Sequence, residues 1–172
     1  MEKQEAEITK GKDIGLLYTD YSIVFQEIPS EVTLAINLSG CPNACEGCHS
    51  PHLQEMIGVQ LTESTLRELI TPYEKHITCV CFMGGDGAPQ EVMKRCLFLK
   101  KHYRKAFKTA WYSGKQDLPH PFCAESLDFV KLGPYIARKG PLNQTTTNQR
   151  LYRVLPDGEM QDITACFWKS AF

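Results

Sequence analysis

Four short runs rich in β-formers, residues 32–38, 78–83, 108–112 and 129–132, each stop at a glycine-bearing turn. These turns are Ser39-Gly40, Gly84-Gly85-Asp86-Gly87, Ser113-Gly114 and Gly133-Pro134. Between the first two runs, Leu66, Leu69, Ile70 and Tyr73 recur at helical spacing behind a Thr62 cap, which predicts a helix over residues 62–74. A second helix opens near Pro89, with Val92, Met93, Cys96, Leu97 and Leu99 expected to face the core. Residues 116–124 read as a proline-rich loop, followed by a short helix at 125–128. Strands alternating with helices predict a mainly parallel sheet, and ligands of such sheets gather at the carboxyl ends of the strands. The chain of 172 residues is too short for a closed eight-unit barrel. The expected fold is therefore α/β, a partial, open (βα) barrel.

Further elements frame this alternation. Residues 23–28 predict a strand joined to 32–38 by the turn Pro29-Ser30-Glu31, and residues 151–155 and 160–164 predict a C-terminal hairpin around Asp157-Gly158. Residues 1–12 are polar enough to fray, leaving one domain over 13–172. The first segment lacks the apolar stretch of a secretory signal, and no stretch reaches the length of a membrane span. A cytoplasmic protein with no membrane partner is expected. Nineteen basic side chains against twenty acidic ones offer no field of one sign to a nucleic-acid backbone, so no nucleic-acid partner is expected either.

In a cytosolic chain thiols stay reduced, so clustered cysteines point to metal binding or catalysis. Of eight cysteines, three fall within Cys41-Pro-Asn-Ala-Cys45-Glu-Gly-Cys48, directly after the first parallel strand. The other five, Cys79, Cys81, Cys96, Cys123 and Cys166, are scattered, and Cys79 and Cys81 share one face of a strand as small hydrophobes do. Spacings of four and three residues let one loop wrap a 4Fe-4S cube, and Gly40, Pro42 and Gly47 suit so tight a backbone. Three thiolates anchor three irons and leave the fourth open, which favours a cluster that performs chemistry over one that only relays electrons. The competing reading is a structural zinc ion on the same cysteines with His49 or His52.

The run from Leu38 to Pro51, Leu-Ser-Gly-Cys-Pro-Asn-Ala-Cys-Glu-Gly-Cys-His-Ser-Pro, resembles the cluster loop of radical S-adenosylmethionine enzymes. More narrowly it resembles that of the activating proteins of anaerobic ribonucleoside-triphosphate reductase. The likeness extends with gaps over residues 23–154. Gly84-Gly85-Asp86 stands where that superfamily has a Gly-Gly-Glu or Gly-Gly-Asp stretch, although Met83 and Gly87-Ala88-Pro89 depart from the usual flanks. Trp111-Tyr112-Ser113-Gly114 is similar to a segment near the adenosine of the cofactor, with core packing the ordinary alternative for Trp111. Asn148-Gln149-Arg150 is similar to a Ser-Asn-Gln segment, and Leu132-Gly133 replaces the family's Asp-Gly.

The resemblance implies a barrel of radical-SAM type, with Cys41, Cys45 and Cys48 on the cluster and S-adenosylmethionine at the open iron. Gly84, Gly85 and Asp86 would hold the methionine end of the cofactor, while Gly47, Cys48 and His49 would touch it beside the cluster. No side chain would act as acid or base, because the cofactor performs the chemistry. Implied partners are the large subunit of the anaerobic reductase, which would receive a glycyl radical, and a low-potential electron donor such as flavodoxin or ferredoxin. Other readings are a radical enzyme acting on a different glycyl-radical enzyme or a small molecule, and a non-catalytic metal-binding module.

Overall fold

The computed structural model describes residues 15–103 and 106–168, so residues 1–14, which include the segment expected to fray, lie outside the described residues. Eight strands form one mixed sheet: β1 (Leu17–Val24), β2 (Thr33–Leu38), β3 (Val59–Gln60), β4 (Cys79–Met83), β5 (Lys108–Tyr112), β6 (Phe129–Leu132), β7 (Arg150–Val154) and β8 (Met160–Asp162). The spatial order is β3-β1-β2-β4-β5-β6-β7-β8. The four central strands β2, β4, β5 and β6 run parallel. The outer strands pair antiparallel on both flanks, and β7 and β8 form a hairpin. The parallel centre sets four strand ends side by side, and the glycine-bearing turns leave from those ends.

Among the described residues two α-helices pack on one face of the sheet. Helix α1 (Glu63–Ile70) starts where Thr62 accepts a hydrogen bond from the Thr65 backbone N–H at 3.1 Å, satisfying one of the orphan donors of the first turn. Helix α2 (Pro89–Tyr103) has proline in its first turn, where no backbone donor is needed, and Lys100, Lys101 and His102 in its last, where cations suit the helix dipole. Both helices bury their apolar side against Val80, Phe82 and Trp111. Each such large side chain, taken fully out of water, stabilises the fold by about 1.5–3 kcal/mol.

Strand alternation turns Cys79 and Cys81 to the opposite face, where they pack with Ile28, Ala110, Phe129 and Leu151. No α-helix among the described residues covers this second face. Three-ten turns and the segment between β6 and β7 border it instead, and there the site lies.

Three local expectations differ from the structure. The first strand begins earlier and ends at Val24, with Asp20 held in β1 by the Asn37 side chain at 2.6 Å. Leu97 is exposed, and the adjacent Phe98 is buried under the Arg67 guanidinium, 5.0 Å from its ring centre. One residue along a helix is a rotation of about 100°, enough to exchange which side chain packs inward. The helix expected at 125–128 is a single turn at Ala124–Ser126.

Gly85 illustrates how tightly the turn after β4 packs. Its φ is +89°, and a Cβ there would lie 2.6 Å from Val92 and 2.8 Å from Leu38. Gly85→Ala is expected to destabilise the protein by about 2 kcal/mol through backbone strain and overpacking, as read by denaturant unfolding. An unchanged midpoint would refute that packing.

Candidate iron-sulfur site

Strand β2 feeds directly into the cysteine loop. The Gly40 N–H donates to Glu55 O at 3.0 Å and the Cys41 N–H to Leu53 O at 2.9 Å, so the loop returns and closes on itself. Inside it, the Cys48 N–H donates to Cys45 O at 3.2 Å. Three positions take left-handed backbone angles: Gly40 (φ +73°), Ala44 (φ +46°) and Gly47 (φ +72°). Gly40 is favoured by its left-handed conformation, and a Cβ there would push aside the flexible Met56 side chain, whose sulfur lies 2.3 Å from that position.

All eight cysteines are free, but their settings differ. Cys41, Cys45 and Cys48 are half-buried in the loop. Two of their sulfurs already face N–H donors: the Asn43 amide stands 3.5 Å from Cys41 Sγ, and the Ser50 backbone N–H 3.4 Å from Cys48 Sγ. Such donors favour thiolate sulfur and tune the potential of an iron-sulfur cluster. By contrast, burial pushes the thiols of Cys79, Cys81 and Cys96 well above the ordinary range, so they stay protonated and hydrophobic. Cys123 and Cys166 are exposed and lie outside the loop in sequence.

Beside the loop is a cavity of about 460 Å³, lined among others by Cys41, Cys48, His49, Gly84, Lys131 and Gln149. It sits at the carboxyl ends of the parallel strands, since Met83, Tyr112 and Lys131 from β4, β5 and β6 all reach it. Of the residues singled out in the sequence, Cys41, Cys48, His49 and Gly84 line this cavity. Cys45, Gly47, Gly85 and Asp86 do not.

Each of these has an observed position. The Gly47 Cα carries no side chain where a Cβ would stand 3.4 Å from Ala137, so the loop packs closely on the segment after β6. The His49 ring tilts against Tyr135 with centroids 4.7 Å apart. Gly84 offers its carbonyl to the Trp111 indole N–H at 2.7 Å, which fixes that strand end and gives the buried indole its partner. Asp86 is buried, and its carboxylate accepts from Asn43, Ser113 and the Gly114 N–H.

Lys131 is the residue that sequence reasoning missed. Only 8% of it is exposed, and its ammonium donates to Gly133 O at 3.2 Å and lies 5.6 Å from the Tyr112 ring centre. Burial lowers its pKa from 10.5 to about 8, while Asp86 and the nearby cysteines oppose the shift. The available signal was a lysine inside the otherwise apolar run Phe129-Val-Lys-Leu132 at a strand end. Gln149 was visible only as part of a resemblance; its amide donates to the same Gly133 carbonyl at 3.4 Å.

Among the described residues, no three His, Cys, Asp or Glu side chains converge as a single metal ion requires. A cube makes a different demand, with each thiolate on its own iron and the sulfurs spread around the corners. A strand-end loop of three free thiols opening on a cavity is the architecture of an iron-sulfur protein. The chain belongs to the family of 4Fe-4S single cluster domains, which matches residues 32–154, from just before β2 to the end of β7. No curated protein and no solved structure shows a significant match. No helix among the described residues is long and apolar enough to cross a membrane.

Proposed function

We propose that the chain is a radical S-adenosylmethionine activase that generates a glycyl radical on anaerobic ribonucleoside-triphosphate reductase. The observation that carries this reading is the cavity beside the cysteine loop, which is bounded by Cys41 and Cys48 on one side and by Gly84 and Lys131 on the other. Three cysteines, Cys41, Cys45 and Cys48, hold the cluster and leave one iron for a ligand. A cluster that only relayed electrons would have no need of a cavity next to it.

The chemistry supplied by the bound cluster is one electron, which splits S-adenosylmethionine into methionine and a 5'-deoxyadenosyl radical that takes a hydrogen atom from a backbone glycine of the reductase. The protein's own residues bind and place. Gly84 gives the methionine end a strand edge without side-chain bulk, and the Lys131 ammonium supplies a cation for its carboxylate. His49 and Gln149 border the remainder of the cavity. Asp86, engaged elsewhere, supports the site from behind. Sequestration in a site with few competing groups protects the radical without any acid or base.

A protein partner suits the surface. Phe25 and Met56 are 68% and 54% exposed, and both stand within two residues of cavity-lining positions, Glu27 and Gln54. Apolar groups exposed beside a site are suited to docking of another chain. A low-potential donor such as flavodoxin or ferredoxin would provide the electron.

Protein reconstituted without oxygen is expected to be brown, to hold roughly four irons with matching sulfide, and to release 5'-deoxyadenosine from S-adenosylmethionine once reduced. A colourless, folded protein with one tightly bound zinc refutes the reading. The partner is tested by electron paramagnetic resonance of co-incubated reductase. Cofactor cleavage without a glycyl radical would redirect the assignment to a radical enzyme acting on another glycyl-radical enzyme or on a small molecule.

A further inference from the structure

The carboxylate of Asp86 accepts three hydrogen bonds. Asn43 Nδ2 lies 2.5 Å from one oxygen, the Gly114 N–H donates to the same oxygen at 2.8 Å, and Ser113 Oγ donates to the other at 2.6 Å. These donors come from two places, the cysteine loop and the end of β5, while Asp86 belongs to the turn after β4. Asn43 is therefore shared, with its amide between the carboxylate and Cys41 Sγ, 3.5 Å away.

The neighbouring glycines make room for this contact. A Cβ at Gly114 would fall 2.4 Å from the Asn43 amide, and one at Gly87 would fall 2.8 Å from the Gly40 carbonyl. Neither glycine needs a left-handed backbone. Gly87 is required by the closeness of the loop backbone to the strand ends, and at Gly114 any larger residue would push the Asn43 amide aside, a use of glycine distinct from turn formation.

We propose that Asp86 is a positioning residue that latches the cysteine loop onto the ends of β4 and β5 and, through Asn43, directs a hydrogen bond at Cys41 Sγ. The inference rests on the cluster part of the proposed function and not on cleavage of S-adenosylmethionine. Groups that orient cluster or metal ligands in this way hold the ligand geometry, and loss of a donor to sulfur disfavours the more negative, reduced cluster. Both Asp86 oxygens have partners, one set in the loop (Asn43) and one at the end of β5 (Ser113, Gly114), so the carboxylate ties the two together.

The test uses reconstituted full-length protein and the variants Asn43→Ala, Asp86→Asn, their combination, and Gly114→Ala, which displaces the Asn43 amide without removing the carboxylate. Iron release to a chelator is expected to accelerate by about 10–100-fold in each. The midpoint potential is expected to fall in Asn43→Ala and Gly114→Ala, which lose the donor to sulfur and keep the Asp86 charge, a readout that loss of packing alone does not move in a fixed direction. The combination should be no worse than the stronger single variant, because both break one contact. Thermal unfolding of the metal-free variants shows whether each still folds.

Two results overturn the latch. One is wild-type iron retention and potential in Asn43→Ala and Gly114→Ala. The other is an Asp86→Asn protein whose cluster behaves as wild type while its affinity for S-adenosylmethionine falls more than about tenfold, which would make Asp86 a cofactor ligand. Failure of the wild-type chain to take up iron at all is a separate outcome, and it overturns the cluster reading together with this one.

Discussion

Serine in place of any one of Cys41, Cys45 or Cys48 is expected to reduce bound iron from roughly four per chain to almost none, and to abolish formation of 5'-deoxyadenosine. On the proposed three-cysteine ligation the effect would be all-or-none, because each thiolate would anchor a separate corner of the cube and such a cluster would have no spare attachment. Serine offers a hard, weakly acidic oxygen in place of a soft thiolate, so the replaced corner binds iron far less well. Alanine at Cys79 or Cys96 and serine at Cys123 or Cys166 should leave the iron content unchanged. The first two thiols are held protonated by burial, and a protonated thiol is no ligand. Their loss costs packing alone, about 1 kcal/mol for each small buried group. Iron and sulfide analysis of the seven variants decides the matter. A Cys45→Ser protein with full iron would sink the three-cysteine assignment, and iron lost from Cys123→Ser or Cys166→Ser would show a ligand from outside the loop.

The parts of the fold that were legible in sequence share a cause. Strands β5 and β6 begin and end where the sequence places them, at Lys108–Tyr112 and Phe129–Leu132, because each is a short run bounded by a glycine turn and a polar segment. Thr62 caps α1 as read, since a threonine before an apolar-periodic stretch has a local physical role. Strand β1 was misplaced because its polar residues are explained only by a partner: Asp20 receives the Asn37 amide across the β1–β2 pair. The reversal of direction beyond β6 is also a matter of which strand lies next to which, and local pattern does not carry it.

The site divides the same way. Three cysteines in one loop are visible because their spacing is itself the signal. The far wall of the cavity is not, since Lys131, Tyr135 and Gln149 reach the loop only after β6 has been placed in the sheet. For Asp86 the resemblance implied a contact with the methionine end of the cofactor. The structure shows a carboxylate bonded to Asn43, Ser113 and Gly114, an outcome that depends on β4 and β5 being neighbours.

Lys131→Met is expected to have two effects of opposite sign, and their combination is what identifies the residue as functional. Burying an ammonium without a carboxylate partner destabilises a fold, and such a group is retained where a ligand supplies the missing anion. Removing it should weaken binding of S-adenosylmethionine about 100-fold, the scale for loss of a buried charge-assisted contact. The same change should stabilise the metal-free protein. Because the folded pKa of Lys131, about 8, lies below its ordinary 10.5, the unfolded chain binds more protons between those values and stability rises with pH across that window. Below pH 8 the whole penalty is present, and it amounts to about 3 kcal/mol before relaxation of the cavity reduces it. Wild type should therefore gain stability from pH 8 to 10.5 relative to the methionine variant, and the two should converge at the upper end. Denaturant unfolding of both metal-free proteins across this range isolates Lys131, since every other ionisable group is common to both. A variant that is less stable at pH 7, or that binds S-adenosylmethionine as tightly as wild type, would show that Lys131 serves the fold and not the ligand.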